Sequence, residues 1–179
     1  MIIKSRSNAQ PWAVYHSSQG AGKYFDGIGT GGISTGNTRF GGVEPTSTHF
    51  TLGTSGDVNY DTYTYIAMLF ASTDVSKVGS YTGNATDTDP SSGTNTITFG
   101  FAPRFVIIKS TEANTGWVVL DTVRGWTDSD SRSIRLDRNN AQDGSDSGYG
   151  YATSTGMVLT GGPSHTNYNN YEYIYYAHA

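Results

Sequence analysis

Residues 105–121 read FVIIKSTEANTGWVVLD, and this stretch decides the fold class. Two apolar, β-branched runs, 105–109 and 117–120, flank a polar loop that contains Asn114 and Gly116. Such a pair of runs around a turn predicts a β-hairpin. The chain opens with related text, because residues 2–16 read IIKSRSNAQPWAVYH. Lys109 and Trp117 each stand 105 positions after Lys4 and Trp12.

Further matches extend the repeat. Residues 49–53 correspond to 156–160, and 59–66 (NYDTYTYI) to 167–174 (NYNNYEYI), now at an offset of 108. The three extra residues belong to the loops between the matched stretches. A period near 105 is too long for a solenoid and fits a duplicated half-domain or two lobes in tandem. The expected organisation is a first copy over 1–75, connecting strands and a loop over 76–100, and a second copy over 101–179. Residues 1–5 match the middle of a strand that GFAPR precedes in the second copy, so a shortened first strand or a fragment of a longer chain is expected.

Composition agrees with an all-β reading. Thirteen Tyr, seven Phe and three Trp accompany 23 Gly and only 15% charged residues. Aromatic and β-branched side chains suit a pleated sheet, and Gly suits tight turns. The expected fold is a β-sandwich, jelly-roll or lectin-like, with an internal duplication of about 105 residues. Brief strands are expected at Tyr24-Phe25, at Ile134 and Leu136, over 49–53, and over 77–84 and 96–101. Residues 65–71 read as a buried strand, with a short helix as the alternative. The expected core residues are Trp12, Trp117, Ile107, Val119, Ile66 and Ile174.

The formal charge of −4, with basic residues scattered except for Arg132, Arg135 and Arg138, argues against a nucleic-acid partner. No cysteine is present, which removes disulfides and thiolate metal sites. No apolar segment is long enough for membrane insertion. No HExxH, nucleophile elbow or phosphate loop occurs, so no catalytic residue, cofactor or metal is assigned. His16, His49, His165 and His178 read as surface or turn residues. Asp26, Glu44, Asp57, Asp61, Glu112, Asp121, Asp137 and Glu172 offer carboxylates for a glycosidase pair, but the sequence brings no two together. Asp-rich loops at 87–89, 128–130 and 143–146 read as solvated turns, since none follows the EF-hand spacing.

Aromatics near turns are the better binding candidates, because a sugar face stacks on Trp or Tyr while nearby polar groups bind its hydroxyls. Trp126, Tyr149, Tyr151, Tyr168 and Tyr60 are the candidate ligand-binding residues. Exposed aromatics in an oligomer serve subunit contacts equally well.

Several phrases together carry a family resemblance: APRFVIIK (102–109), WAVYH (12–16), EPTSTHFTLG (44–53), VNYDTYTYIAMLFA (58–71), SKVGSYTGN (76–84) and WVVLDTVRG (117–125). In order and over nearly the whole chain, they resemble a domain of unassigned function that recurs in tail-fibre and other virion proteins of bacteriophages, many of them marine. The loop at 139–150 departs from that pattern. The resemblance implies a non-enzymatic virion structural protein on the tail or capsid surface, extracellular after release. Its implied partners are a host cell-surface glycan or receptor and other virion subunits, with a homo-oligomer expected. The alternatives are a capsid decoration or purely structural fibre segment and, less favoured, a polysaccharide depolymerase.

Overall fold

The computed structural model describes residues 1–129, 131–143 and 149–179. Among them, thirteen strands form three antiparallel sheets. No helix of the described residues is long and apolar enough to cross a membrane. The chain divides into two compact units, Met1–Phe70 and Ala71–Ala179.

In the first unit, β1 (Ile2–Ser5), β2 (Ala13–Val14), β3 (Lys23–Asp26), β4 (Ile33–Thr35) and β5 (Tyr65–Met68) form one sheet in the order β4-β3-β2-β1-β5. Its core gathers Ile3, Ala13, Tyr15, Tyr24, Phe40 and Val58. The strand expected at Tyr24-Phe25 is β3. Residues 50–53, read as a strand from the sequence, form no strand, and 49 does not either. The apolar run at 65–71 is a strand only to Met68, and Ile66, Leu69 and Phe70 are exposed.

The second unit contains β6 (Ser76–Thr82), β7 (Thr94–Thr98), β8 (Phe105–Ser110), β9 (Trp117–Asp121), β10 (Ser133–Arg135), β11 (Tyr151–Ala152), β12 (Gly156–Thr160) and β13 (Glu172–His178). One sheet runs β10-β9-β8-β13-β6 and the other β11-β12-β7. The two strands read as connectors, β6 and β7, are therefore one in each sheet of this unit. The core takes Val106, Ile108, Val118, Leu120, Tyr173, Tyr175 and Ala177 from the first sheet. From the second it takes Ile97, Met157 and Leu159, as in a β-sandwich. Ile134 lies in β10, whereas Leu136 follows its end and is exposed.

The hairpins of the two units share a register. Ile2 faces Val14 and Ile3 faces Ala13 in β1–β2; Ile107 faces Val119 and Ile108 faces Val118 in β8–β9. Lys4 faces Ile66 in β1–β5, as Lys109 faces Ile174 in β8–β13. In each hairpin the lysine Nζ donates to a carbonyl in the loop, that of Gln10 in the first and of Thr115 in the second.

In the second unit the residues expected to form the core, Ile107, Val119, Trp117 and Ile174, lie on one face of their sheet, and it is not the face that packs the sandwich. Side chains alternate along a strand, so Val106 and Ile108 point opposite to Ile107 and Lys109. Val106, Ile108, Val118 and Leu120 have no exposed surface, while Ile107 and Val119 are only half-buried. Shifting the reading by one residue moves the whole set to the other side of the sheet. On that second face the units differ. Trp117 and Ile174 are buried, at 6% and 3% exposed, but Trp12 is half-buried and Ile66 is 47% exposed.

Candidate functional site

Of the sequence-selected binding residues, Tyr60 and Tyr168 occupy the same kind of turn, one in each unit. The turns run through Asn59-Tyr60-Asp61-Thr62-Tyr63 and Asn167-Tyr168-Asn169-Asn170-Tyr171, each leading into the unit's last strand. Val58 and Asn59 donate their amides to the Ser55 carbonyl at 3.1 and 2.9 Å, and Thr166 and Asn167 donate theirs to Pro163 at 2.9 and 3.2 Å. Tyr63 donates to Tyr60 at 3.2 Å, and Tyr171 to Tyr168 at 3.1 Å. The turn is closed by a residue in the left-handed region, Thr62 at φ 71° and Asn170 at φ 63°. Asn59 Nδ2 donates to the Gly53 carbonyl, and Asn167 Nδ2 to that of Gly161, both at 3.0 Å.

A tyrosine hydroxyl fixes each turn from beneath. Tyr65 Oη accepts from the Tyr60 amide at 2.9 Å and donates to the Gly56 carbonyl at 2.8 Å. Tyr173 Oη accepts from the Tyr168 amide and donates to the Ser164 carbonyl, both at 2.9 Å. Burial raises the Tyr173 phenol above its usual range, so the hydroxyl keeps the proton it donates.

Each turn presents a tilted pair of rings. Tyr60 and Tyr63 have centroids 4.8 Å apart at 45°, and Tyr168 and Tyr171 are 4.9 Å apart at 59°. Tyr60 is 56% exposed and Tyr168 38%. Asp61 and Thr62 beside the first pair are exposed, as are Asn169 and Asn170 beside the second. An aromatic face rimmed by short polar side chains on a fixed backbone can stack a sugar ring and bind its hydroxyls.

The other candidates are placed differently. Trp126 and Tyr149 are 2% and 5% exposed and belong to the core of the second unit, which removes them as stacking surfaces. Both flank a polar loop in sequence, and that neighbourhood made buried side chains look superficial. Tyr151 is half-buried in β11.

Sequence reasoning missed a buried polar cluster in the second unit. Lys109, with no exposed surface, donates to Thr115 O at 2.8 Å and Thr115 Oγ1 at 3.0 Å. Asp137 Oδ1 accepts from the Trp117 amide at 2.8 Å and lies 3.4 Å from Arg135 Nε; its other oxygen is 3.5 Å from Arg138 Nε. His165 Nδ1 is 3.4 Å from the Gly116 amide and 3.5 Å from the Arg135 guanidinium. Burial lowers Lys109 to about 8, Asp137 acting against the shift and Arg135 adding to it. Burial, then the Arg135 charge, lowers His165 to about 4, so its ring is neutral near pH 7 and Nδ1 accepts from Gly116. A charged group in a protein interior needs such partners. The arrangement ties segments 135–138 and 163–166 to the hairpin loop. His165 is therefore part of an internal network and not a plain surface histidine. His16, also buried, accepts from the Ser18 amide at the start of a short 3-10 turn.

Of the carboxylates, Asp26 and Asp57 meet on Arg39, whose guanidinium takes up both and lies 4.4 Å from the Tyr24 ring centroid. Asp121 pairs with Arg104. Asp87 and Asp89 spend Oδ1 on turn amides, of Asp89 and Ser91, at 2.8 Å each. The other two Asp-rich loops include Asp130, Gly144, Ser145 and Asp146, which lie outside the described residues.

No curated protein and no solved structure shows significant similarity to the chain. One family model matches residues 1–179, and the chain belongs to that family, described as a domain of unknown function (DUF7483).

Proposed function

We propose that this chain is a non-enzymatic bacteriophage virion component, a tail-fibre or appendage domain, whose tyrosine turns attach to host-surface glycans. The observation that carries the binding half of this reading is the recurrence of one turn, with the same hydrogen bonds and a ring pair whose first member is exposed, at Tyr60–Tyr63 and Tyr168–Tyr171. In each pair Tyr60 or Tyr168 is exposed while Tyr63 or Tyr171 is half-buried beside it, so the exposed ring stands on a fixed support. The virion half rests on the sequence resemblance alone. The matched hairpin registers and turn bonds support an internal duplication of jelly-roll or lectin-like character as part of the same proposal. Two weak sites per chain, multiplied over the copies on a particle, raise avidity without tight individual binding.

A glycan array probed with the protein, alongside adsorption to host cells, tests the reading. The expected result is a signal weakened by Tyr60→Ala or Tyr168→Ala and lost in the double variant, with folding unchanged by circular dichroism. Undiminished binding by a folded double variant overturns it. A second reading, a structural segment held in a homo-oligomer with other virion subunits, is favoured by the exposed apolar residues Ile66 and Leu69. A monodisperse monomer at all concentrations in light scattering counts against that reading.

A further inference from the structure

The two units differ in how their last strand is flanked. In the second unit β13 lies between β8 and β6, with Tyr173 opposite Ser110 on one side and Tyr81 on the other. In the first unit β5 pairs with β1 on one side and is the edge of its sheet on the other. The Arg6 amide donates to the Thr64 carbonyl at 2.8 Å, as the Thr111 amide does to Glu172. By antiparallel alternation, the backbone groups of Thr64, Ile66 and Met68 face β1, and those of Tyr65 and Ala67 face the open edge.

Three features of the second unit have no counterpart in the first among the described residues. One is β6 itself. Another is the segment after it, which braces the tyrosine turn: Ala85 donates to the Asn167 carbonyl at 3.0 Å, while Asn169 donates to Ala85 at 2.8 Å and Asn170 to Gly83 at 3.0 Å. The third is β7, which supplies the ladder for β12. That absence explains why residues 49–53, aligned with β12, form no strand although Phe50, Thr51 and Leu52 suit one. The edge of β5 is short, at four residues, but has no other guard against pairing. Sheet edges are commonly guarded by charge, proline or a bulge, yet Tyr65–Met68 contains neither a charge nor a proline, and Ile66 within it and Leu69 just after it are exposed.

We propose that the open edge of β5 is a docking site for an extended polypeptide strand of the β6 type, carrying a tyrosine opposite Tyr65. The second unit supplies the template. There Tyr81 stacks on Tyr173, with centroids 5.0 Å apart at 12°, and its hydroxyl donates to the Thr166 carbonyl. The matching acceptors in the first unit are the Tyr65 ring and the Val58 carbonyl, held by the same turn bonds. The occupant adds as an antiparallel strand, taking main-chain affinity from Tyr65 and Ala67 and selectivity from the ring pocket.

The test is a synthetic peptide with the sequence of residues 72–84, STDVSKVGSYTGN, titrated to millimolar concentration into the intact protein and followed by residue-resolved amide exchange. The expected result is peptide-dependent slowing of exchange at Tyr65 and Ala67, with one peptide bound per chain. A peptide with Tyr81→Ala binds about tenfold more weakly, having lost a cross-strand ring pair and a hydrogen bond. In the protein, Ala67→Pro removes an edge-facing amide, leaves the β1 ladder intact and abolishes binding. No slowing at Tyr65 and Ala67 at millimolar peptide overturns the proposal. So does slowing confined to β13, which would mean exchange with the resident β6. Self-association through β5 that the peptide does not displace also overturns it, by assigning the edge to a second copy.

Discussion

The hydroxyl of Tyr173 accepts a hydrogen bond from the amide of Tyr168 at 2.9 Å, five residues earlier in the chain, and donates one to the Ser164 carbonyl. That atom joins the Pro163 and Ala85 bonds in holding a turn whose outer residues are exposed. Its loss leaves the part-buried Ser164 carbonyl and Tyr168 amide without this partner and loosens the turn above it. Tyr173→Phe should therefore cost about 1–3 kcal/mol in urea unfolding, the price of an unmet buried polar group. Tyr65→Phe should cost less, because Tyr65 is only half-buried. Equal effects would show that burial does not set the difference.

Gly116 has a similarly narrow role. A Cβ at this position would lie 2.0 Å from Asp137 Oδ1 and 2.1 Å from the Arg135 guanidinium. The aspartate cannot retreat without giving up the Trp117 amide. Gly116→Ala should destabilise the second unit by about 1–3 kcal/mol, the usual range for overpacking. The midpoint of chemical denaturation reads this directly.

His165 should give the protein an acid-sensitive component. Its folded pKa, about 4, lies below the ordinary value of 6.5, so the unfolded chain binds more protons between these limits. The stability it contributes is full above about pH 6.5 and falls as pH drops towards about 4. The slope stays well under the ~1.4 kcal/mol per pH unit of a full proton difference, because the ring is part exposed. His165→Gln should flatten the stability profile in that window, measured by urea unfolding at a series of pH values. An unchanged slope would assign the acid sensitivity to other groups.

Trp126→Ala separates a core role from a surface one. With 2% of its surface exposed among Phe99, Leu120 and other core side chains, its truncation should cost about 3–5 kcal/mol. Trp126→Phe should restore most of that stability. Thermal unfolding of the two variants makes the comparison. A fully stable Trp126→Ala would be incompatible with this packing.

The hairpins were legible because local pattern suffices for them: FVIIK and WVVLD are β-rich runs about a turn, and β8 and β9 follow their limits closely. The orientation of the sheet was not. Val106-Ile107-Ile108 is apolar on both sides, so alternation gives no sign of which face meets the second sheet, and the sequence alone points Ile107, Val119 and Ile66 inward. Strand formation at 156–160 but not at 49–53 depends on the presence of β7, a distant partner that no local window contains. Tyr60 and Tyr168 were legible as turn aromatics, but the hydroxyl clamps beneath them come from residues five positions on. The Lys109–Asp137–His165 cluster joins three separate segments, and none of them has a motif.

The place of β13 has a consequence for synthesis. Ser76 pairs with His178, so the first residue of β6 waits for a partner about 100 residues further along the chain. Until β13 leaves the ribosome, β6 and β8 have no strand between them, and the larger sheet cannot close. Contacts of such sequence separation form slowly. The growing chain therefore carries these unpaired edges from the synthesis of β6 and β8 until that of β13, and crowding of nascent chains in that interval exposes this unit to misassembly.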